Sequence, residues 1–391
     1  MGPTTSSASS PLDAVAAALV ARGKGIAATD ESPPTLGRRL EAAGVANTPS
    51  ARAAWRACLY GAEVGDSLAG CIIFSEALSQ AAPDGTPIPA LLTRQGILVG
   101  VKADLGLEPL DGGAPGETVT RGLDGLAARA AVWKGAGASF AKWRAALRVG
   151  AGGAPPSPAA IAANASQLAE YAVVCQTAGL VPIVEPEVLI DGPHGAPASA
   201  AALEAVLKGV VSALVSSGAR LEALLIKPTP VLPGADCAFD PASNNPRPSW
   251  EVLAGMTLAA LAAALPPAIP GVAFLSGGLS EADATACLNA VNQAQNAAPA
   301  PAAYPWALTF SFGRALQASA LREWTRGVVA GGLPGPPAAV AAARAAFRAA
   351  AHANAAASRG EFKGPHPAEG VTASLREDFR GWRGEGEKIG V

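Results

Sequence analysis

Histidine and tyrosine are scarce in this 391-residue chain, with three of each. His194, His352 and His366 stand far apart and share no metal-ligand spacing, which argues against zinc-dependent chemistry and leaves no metal expected. Cys58, Cys71, Cys175, Cys237 and Cys287 are odd in number and form no CxxC pair. They read as buried free thiols of a reducing compartment, not as a disulfide framework or a metal site. Charge is sparse too: charged residues make up 15% and the formal net charge is −2. Nothing in that balance recruits nucleic acid or an anionic membrane, so any anionic ligand must be held by a local cluster. The longest apolar run, Thr257–Leu275, is cut by Pro266, Pro267 and Pro270, so it reads as helix, loop and strand instead of a membrane span. The first ten residues hold neither lysine nor arginine and no apolar core, so no secretory or Arg-rich transit signal is expected there.

Apolar residues are 50% of the chain, enough for a substantial core. Eight strand-like runs recur, at Ile26–Asp30, Gly70–Ser75, Ile97–Asp104, Ser139–Ala145, Val181–Val188, Ala223–Pro228, Val272–Gly277 and Leu308–Phe312. Helix-length patterns lie between most of them, at Ala159–Ala178, Ala200–Val215, Trp250–Ala264 and Ser280–Asn296, the last opening on a capping-box pattern, Ser280-x-x-Asp283. Strands alternating with helices give parallel βαβ units, and eight of them match an α/β fold of the (β/α)8 barrel type. A doubly wound open sheet would carry a phosphate glycine loop after its first strand. Gly23-Lys24-Gly25-Ile26-Ala27-Ala28 has the glycine spacing of a dinucleotide fingerprint, but it precedes the strand and is rejected. Asn164-Ala165-Ser166 fits a glycosylation sequon inside a helix pattern and is read as chance. The expected organisation is a flexible terminus at 1–10 and a barrel with an N-terminal helix at 11–328. A linker and C-terminal helix at 329–357 and a mobile tail at 358–391 follow.

Ionisable residues gather late in the strand runs. Asp30 closes the first, Lys102 lies late in the third, Lys142 and Arg144 in the fourth, Glu185 and Glu187 in the fifth, and Lys227 ends the sixth. Alternation puts Lys142 with Arg144, and Glu185 with Glu187, on one face each. A buried ion-pair network accounts for such a set in part. Yet three of only eight lysines in the chain fall at strand ends, and lysine can give up its proton where arginine cannot. In Leu224-Leu225-Ile226-Lys227-Pro228, proline ends the ladder just past a lysine whose burial among cations favours the neutral, nucleophilic amine. The seventh and eighth runs end in Ser276-Gly277-Gly278 and Ser311-Phe312-Gly313-Arg314. Glycine lets backbone N–H groups approach an anion, and loops after the last two strands are the usual phosphate site of barrels. Ser32, Thr35, Arg39 and Lys102 form a weaker second candidate anion site near the first strand.

Several blocks resemble class I fructose-bisphosphate aldolase: Gly23-Lys24-Gly25-Ile26, Asp30-Glu31-Ser32, Ser139-Phe140-Ala141-Lys142-Trp143-Arg144, Val181-Pro182-Ile183-Val184-Glu185-Pro186-Glu187, Leu225-Ile226-Lys227-Pro228, Phe274-Leu275-Ser276-Gly277-Gly278, and the run from Trp306 to Gln317. They occur in order from about residue 12 to about 360. The resemblance implies reversible, metal-free and cofactor-free cleavage of fructose 1,6-bisphosphate to dihydroxyacetone phosphate and glyceraldehyde 3-phosphate. It implies Lys227 as the Schiff-base lysine, Glu185 as proton shuttle with Glu187 beside it, and Asp30 as acceptor of the C4 hydroxyl proton. Lys142 and Arg144 are expected to polarise substrate oxygens and keep the amine neutral. Ser276, Gly277, Gly278, Ser311, Gly313 and Arg314 are expected at one phosphate, and Ser32, Thr35, Arg39 and Lys102 at the other.

The resemblance also implies a homotetramer. A cytoplasmic location fits the lack of a transit-peptide pattern, with a mature plastid form as the alternative. Two departures stand out. Pro33-Pro34 replaces a flexible small pair, and the family's usual terminal tyrosine is not found in Glu387-Lys388-Ile389-Gly390-Val391, so cleavage is expected to survive with enamine protonation slowed or handled by another group. Rival readings are a Schiff-base aldolase favouring sedoheptulose bisphosphate, and a non-catalytic scaffold or regulatory protein that keeps the fold.

Overall fold

The computed structural model describes residues 10–238, 248–299 and 303–368. In chain order the elements are α1 (Pro11–Leu19), β1 (Gly25–Thr29), α2 (Pro33–Ala42), α3 (Pro49–Tyr60), β2 (Leu68–Ile73), α4 (Ile88–Thr93), β3 (Leu98–Lys102), β4 (Leu107–Pro109), β5 (Thr118–Thr120), α5 (Leu126–Gly135), β6 (Phe140–Arg148) and α6 (Pro158–Thr177). They continue with β7 (Val181–Leu189), α7 (Ala196–Ser216), β8 (Leu225–Ile226), α8 (Trp250–Ala264), β9 (Gly271–Phe274), α9 (Glu281–Asn296), β10 (Ala307–Phe312), α10 (Arg314–Gly331) and α11 (Pro337–Ala357). Eight parallel strands close a barrel in the order β1-β10-β9-β8-β7-β6-β3-β2, while β4 and β5 pair as a separate antiparallel hairpin.

Strand alternation sorts the barrel interior into two levels. Lower inward positions are apolar: Ile26, Ala28, Ile72, Phe140, Val181, Ile183, Leu225 and Ala273 form one small core with Ala16, Leu19 and Val20, at and just beyond the end of α1. Helix α1 therefore plugs the N-terminal mouth. Two residues further along the same rows the side chains become ionic, as in Phe140–Lys142–Arg144, Ile183–Glu185–Glu187 and Leu225–Lys227. The Phe140 ring fits only because β3 offers glycine beside it: a Cβ on Gly100 would lie 2.1 Å from Phe140 Cε2. A second, larger core lies between the outer strand faces and the helices. Helix α7, long and apolar enough to cross a membrane, is a wall helix here, with Leu203, Val206, Leu207, Val210 and Leu214 buried. An open groove between α6 and α7, lined by Ile161, Ala165, Val173 and Gly209, belongs to this outer wall.

Several boundaries differ from expectation. The expected strand Ala223–Pro228 is a 3-10 turn at Leu221–Ala223 followed by a two-residue strand, and Pro228, without an N–H, cannot extend it. Ser10, assigned to the flexible terminus, is the N-cap of α1 in a capping box with Asp13. The expected mobile tail is docked as far as it is described. Gln293 donates to Gly360 O, the Phe362 N–H donates to Asn289 Oδ1 (3.0 Å), and His366 is buried. The rest of both expected flexible stretches, 1–9 and 369–391, lies outside the described residues, and the segment Glu387–Val391 falls there too.

Candidate active site

The ionic residues anticipated at the strand ends meet at the C-terminal mouth of the barrel. Backbone pairing fixes the set: Lys102 lies opposite Lys142 across β3 and β6, and Arg144 opposite Glu185 across β6 and β7. The Lys227 N–H completes the ladder by donating to Val184 O (2.8 Å). Glu185 stands at the centre. Its Oε1 is 3.1 Å from Lys227 Nζ and its Oε2 is 3.0 Å from Lys142 Nζ. Lys142 Nζ also pairs with Asp30 Oδ2 at 2.8 Å, and Arg144 Nε donates to Glu187 Oε2. One chain of contacts thus runs Lys227–Glu185–Lys142–Asp30, with Arg144–Glu187 beside it.

Burial disfavours charge on all of these groups, so the partners decide the outcome. Burial pulls the Lys142 ammonium down, but Asp30, Glu185 and Asp104 together hold it well above the usual lysine range. Burial pushes the Asp30 carboxyl up, and Lys142, Lys227 and Lys102 overcome it, leaving Asp30 below the usual carboxylate range. Glu187 likewise raises Arg144 against its burial. Lys142 is therefore a fixed cation. The expected crowding of the nucleophile by bare cations is modified, because a carboxylate stands between the two amines. Lys227 has a proton acceptor in direct contact instead.

The loops after β9 and β10 provide the other half of the site. Gly277 and Gly278 have φ of +55° and +79°, a region where side chains are strained, and a Cβ on Gly277 would lie 3.1 Å from Thr229 Cγ2. Gly313 is the N-cap of the 18-residue α10, whose first residue is Arg314, so a positive helix end faces the mouth. Ser311 is 1% exposed and its Oγ has no hydrogen-bond partner among the described residues. A buried hydroxyl left unpaired is costly, which makes Ser311 a candidate ligand contact.

The second candidate anion site is less convergent. Ser32 caps α2, with Pro33 and Pro34 in the first turn where a missing N–H costs nothing, and its hydroxyl pairs with Thr35 Oγ1 at 3.0 Å. Arg39 is held by Glu31 (2.5 Å) and Lys102 by Asp104 (2.5 Å). Sequence reading gave neither acid a role in the site. Asp104 was within reach: it sits two residues past Lys102, the same spacing that paired Lys142 with Arg144. Elsewhere, four of the five cysteines are buried as expected, whereas Cys237 is partly exposed.

Residues 11–379 match the family model described as fructose-bisphosphate aldolase class-I. The chain is 46% identical over 303 residues to the cytosolic fructose-bisphosphate aldolase 5 of Arabidopsis thaliana, covering 77% of this chain and 80% of that one. It is 45% identical over 315 residues to fructose-bisphosphate aldolase C of Homo sapiens, covering 80% and 82%. Among solved structures, the fructose-bisphosphate aldolase of Plasmodium falciparum, crystallised with TRAP and a small-molecule inhibitor, superposes with a TM-score of 0.82 at 40% identity. That match covers 90% of this chain and 95% of the other. The family model spans most of the chain, and the aldolases above match about four fifths of it at 45–46% identity: this chain belongs to the class-I fructose-bisphosphate aldolase family.

Proposed function

We propose that this protein cleaves fructose 1,6-bisphosphate reversibly, without a metal, through an imine on Lys227. The observation that carries the reading is Lys227 Nζ, buried at the barrel mouth with Glu185 Oε1 at 3.1 Å. Glu185 takes the ammonium proton, and the freed lone pair attacks the C2 ketone to give a carbinolamine. Glu185 then returns a proton to the departing hydroxyl, water leaves, and the iminium forms. Asp30, kept ionised by Lys142, accepts the C4 hydroxyl proton. The C3–C4 bond breaks, its electron pair enters the iminium to give an enamine, and the aldehyde leaves. Protonation of the enamine and hydrolysis of the imine release dihydroxyacetone phosphate and restore the amine.

Lys142, a fixed cation, stabilises negative charge developing on substrate oxygens, with Arg144 adjacent. Ser276, Gly277, Gly278, Ser311, Gly313 and Arg314 hold one phosphate, for which the unpaired Ser311 hydroxyl and the α10 N-terminus are the support. Lys102, Arg39 and the Ser32–Thr35 pair serve the other. A cytoplasmic place in glycolytic carbon metabolism is supported by the Arabidopsis relative, named cytosolic, and a homotetramer is carried over from the family.

Borohydride added during turnover should reduce the imine and inactivate the enzyme, leaving one triose-phosphate adduct on the peptide bearing Lys227. Turnover that leaves no adduct there, or an adduct on another lysine, would overturn the assignment.

A further inference from the structure

We propose that Asp104 is a positioning residue for the bisphosphate site, acting by holding Lys102; the inference rests on the function proposed above. The parallel ladder continues past the end of β3, with the Ala103 N–H donating to Lys142 O (2.8 Å), so Lys102 and Asp104 rise on the same side of the barrel wall. Lys102 Nζ donates to the Asp104 backbone carbonyl (2.7 Å) and to Asp104 Oδ1 (2.5 Å). An ammonium has three donors, so two are committed to this one residue and one remains for a ligand. Oδ1 also accepts from the Gly106 N–H (3.3 Å), which clamps the turn leading into the β4–β5 hairpin. The lysine is thereby ordered before substrate arrives, and less side-chain freedom is lost on binding.

Charge compensation points the same way. Apart from Arg314 at the head of α10, the strand ends at the mouth carry four cations, Lys102, Lys142, Arg144 and Lys227, against three acids, Asp30, Glu185 and Glu187. Asp104 is the fourth acid and brings the set to neutrality. Its Oδ2 is buried and makes no hydrogen bond among the described residues. That oxygen lies in the field of Lys142 and Arg144, both of which Asp104 helps keep charged.

The test is a double-mutant cycle on the full chain with Asp104→Ala, Lys102→Met and both together, read as kcat and KM for fructose 1,6-bisphosphate. Each single change should raise KM about tenfold, the loss of one charge-assisted hydrogen bond. The double variant should match Lys102→Met within about twofold, because Asp104 acts through Lys102. Asp104→Asn keeps the shape and one acceptor and should raise KM only about threefold; it takes the place of the alanine variant if that one melts early. Effects that multiply in the double variant, or an unchanged KM in both Asp104 variants, would overturn the inference. An inactive wild-type chain with no Lys227 adduct would sink the proposed function itself, and this inference with it.

Discussion

Replacing Glu185 by glutamine keeps the shape of the side chain and removes the charge that joins two amines. In the native site its oxygens lie 3.1 Å from Lys227 Nζ and 3.0 Å from Lys142 Nζ. At an effective dielectric of about 20, each contact is worth on the order of 5 kcal/mol before the cost of desolvation. Breaking a buried pair from one side typically costs about 3–5 kcal/mol net, because the abandoned charge stays buried. A chain of this size should then melt roughly 4–6 °C lower. The effect on rate is separate. Glu185→Gln cannot accept the Lys227 proton or return one to the carbinolamine hydroxyl, so kcat should fall about 10²–10⁴-fold, the usual worth of general acid–base catalysis. KM should move much less, since the proposed phosphate contacts, Ser311, the glycine loops and Lys102, do not include Glu185. Coupled assays of triose-phosphate release give both constants, and the rate of borohydride inactivation reports imine formation alone. A folded Glu185→Gln variant with kcat within fivefold of the parent would refute the shuttle. A rise in KM equal to the fall in kcat would instead assign Glu185 to substrate binding.

Lys142→Met tests how the two strongest charges at the mouth depend on each other. Asp30 is held below the unfolded carboxylate value of about 3.9, so it stabilises the fold above that pH and less as pH falls through its folded value. Lys142 is held above the unfolded lysine value of about 10.4, so its contribution is complete below that pH and fades as pH rises past it. Without Lys142, Asp30 loses its principal opposing cation, and the acid limb of urea midpoints between pH 3 and 6 should shift to higher pH. An unchanged acid limb would show that Asp30 is not held by Lys142. Gly100→Ala puts a methyl 2.1 Å from the Phe140 ring in the barrel floor and should cost about 1–3 kcal/mol, with partial recovery in Gly100→Ala/Phe140→Leu. Thermal melts of the two variants check it, and a single mutant that melts with the parent would show that the floor repacks freely.

The barrel was legible because its strands are continuous apolar runs separated by helix-length patterns, and a strand covered on both faces needs nothing else. The ionic mouth was legible for a related reason: Lys142, Glu185 and Lys227 break runs that are otherwise aliphatic, and the break always falls late in the run. The contacts between them were not. A period of two puts Lys142 with Arg144 and Glu185 with Glu187, each pair on one face of its own strand, but it says nothing about which carboxylate meets which amine. That depends on the stagger between strands, visible only once Arg144 is seen opposite Glu185 and Lys102 opposite Lys142. The extent of β8 was misjudged because Ala223 and Leu224 are as apolar as the strand itself. The β4–β5 hairpin escaped notice because its three-residue strands are shorter than any period can register.

The two levels of the barrel interior explain how a lysine can be both buried and reactive. Below Lys227 the space is filled by Leu225, Ile183 and Phe140 and plugged by Leu19 of α1, an apolar floor under the amine. Above it, Lys102, Lys142, Arg144 and Lys227 are each in contact with an acid. Within that closed set a proton can pass from Lys227 to Glu185 while the total charge stays constant. Only its distribution changes, and a fixed Lys142 between Glu185 and Asp30 limits the cost of redistributing it. Hydrophobic residues in the same positions would pack as well and stabilise the fold at least as much. The alternation of acid and base along the chain Lys227–Glu185–Lys142–Asp30 is what the proton transfers of the imine chemistry proposed above would use, and the stability of the barrel does not require it.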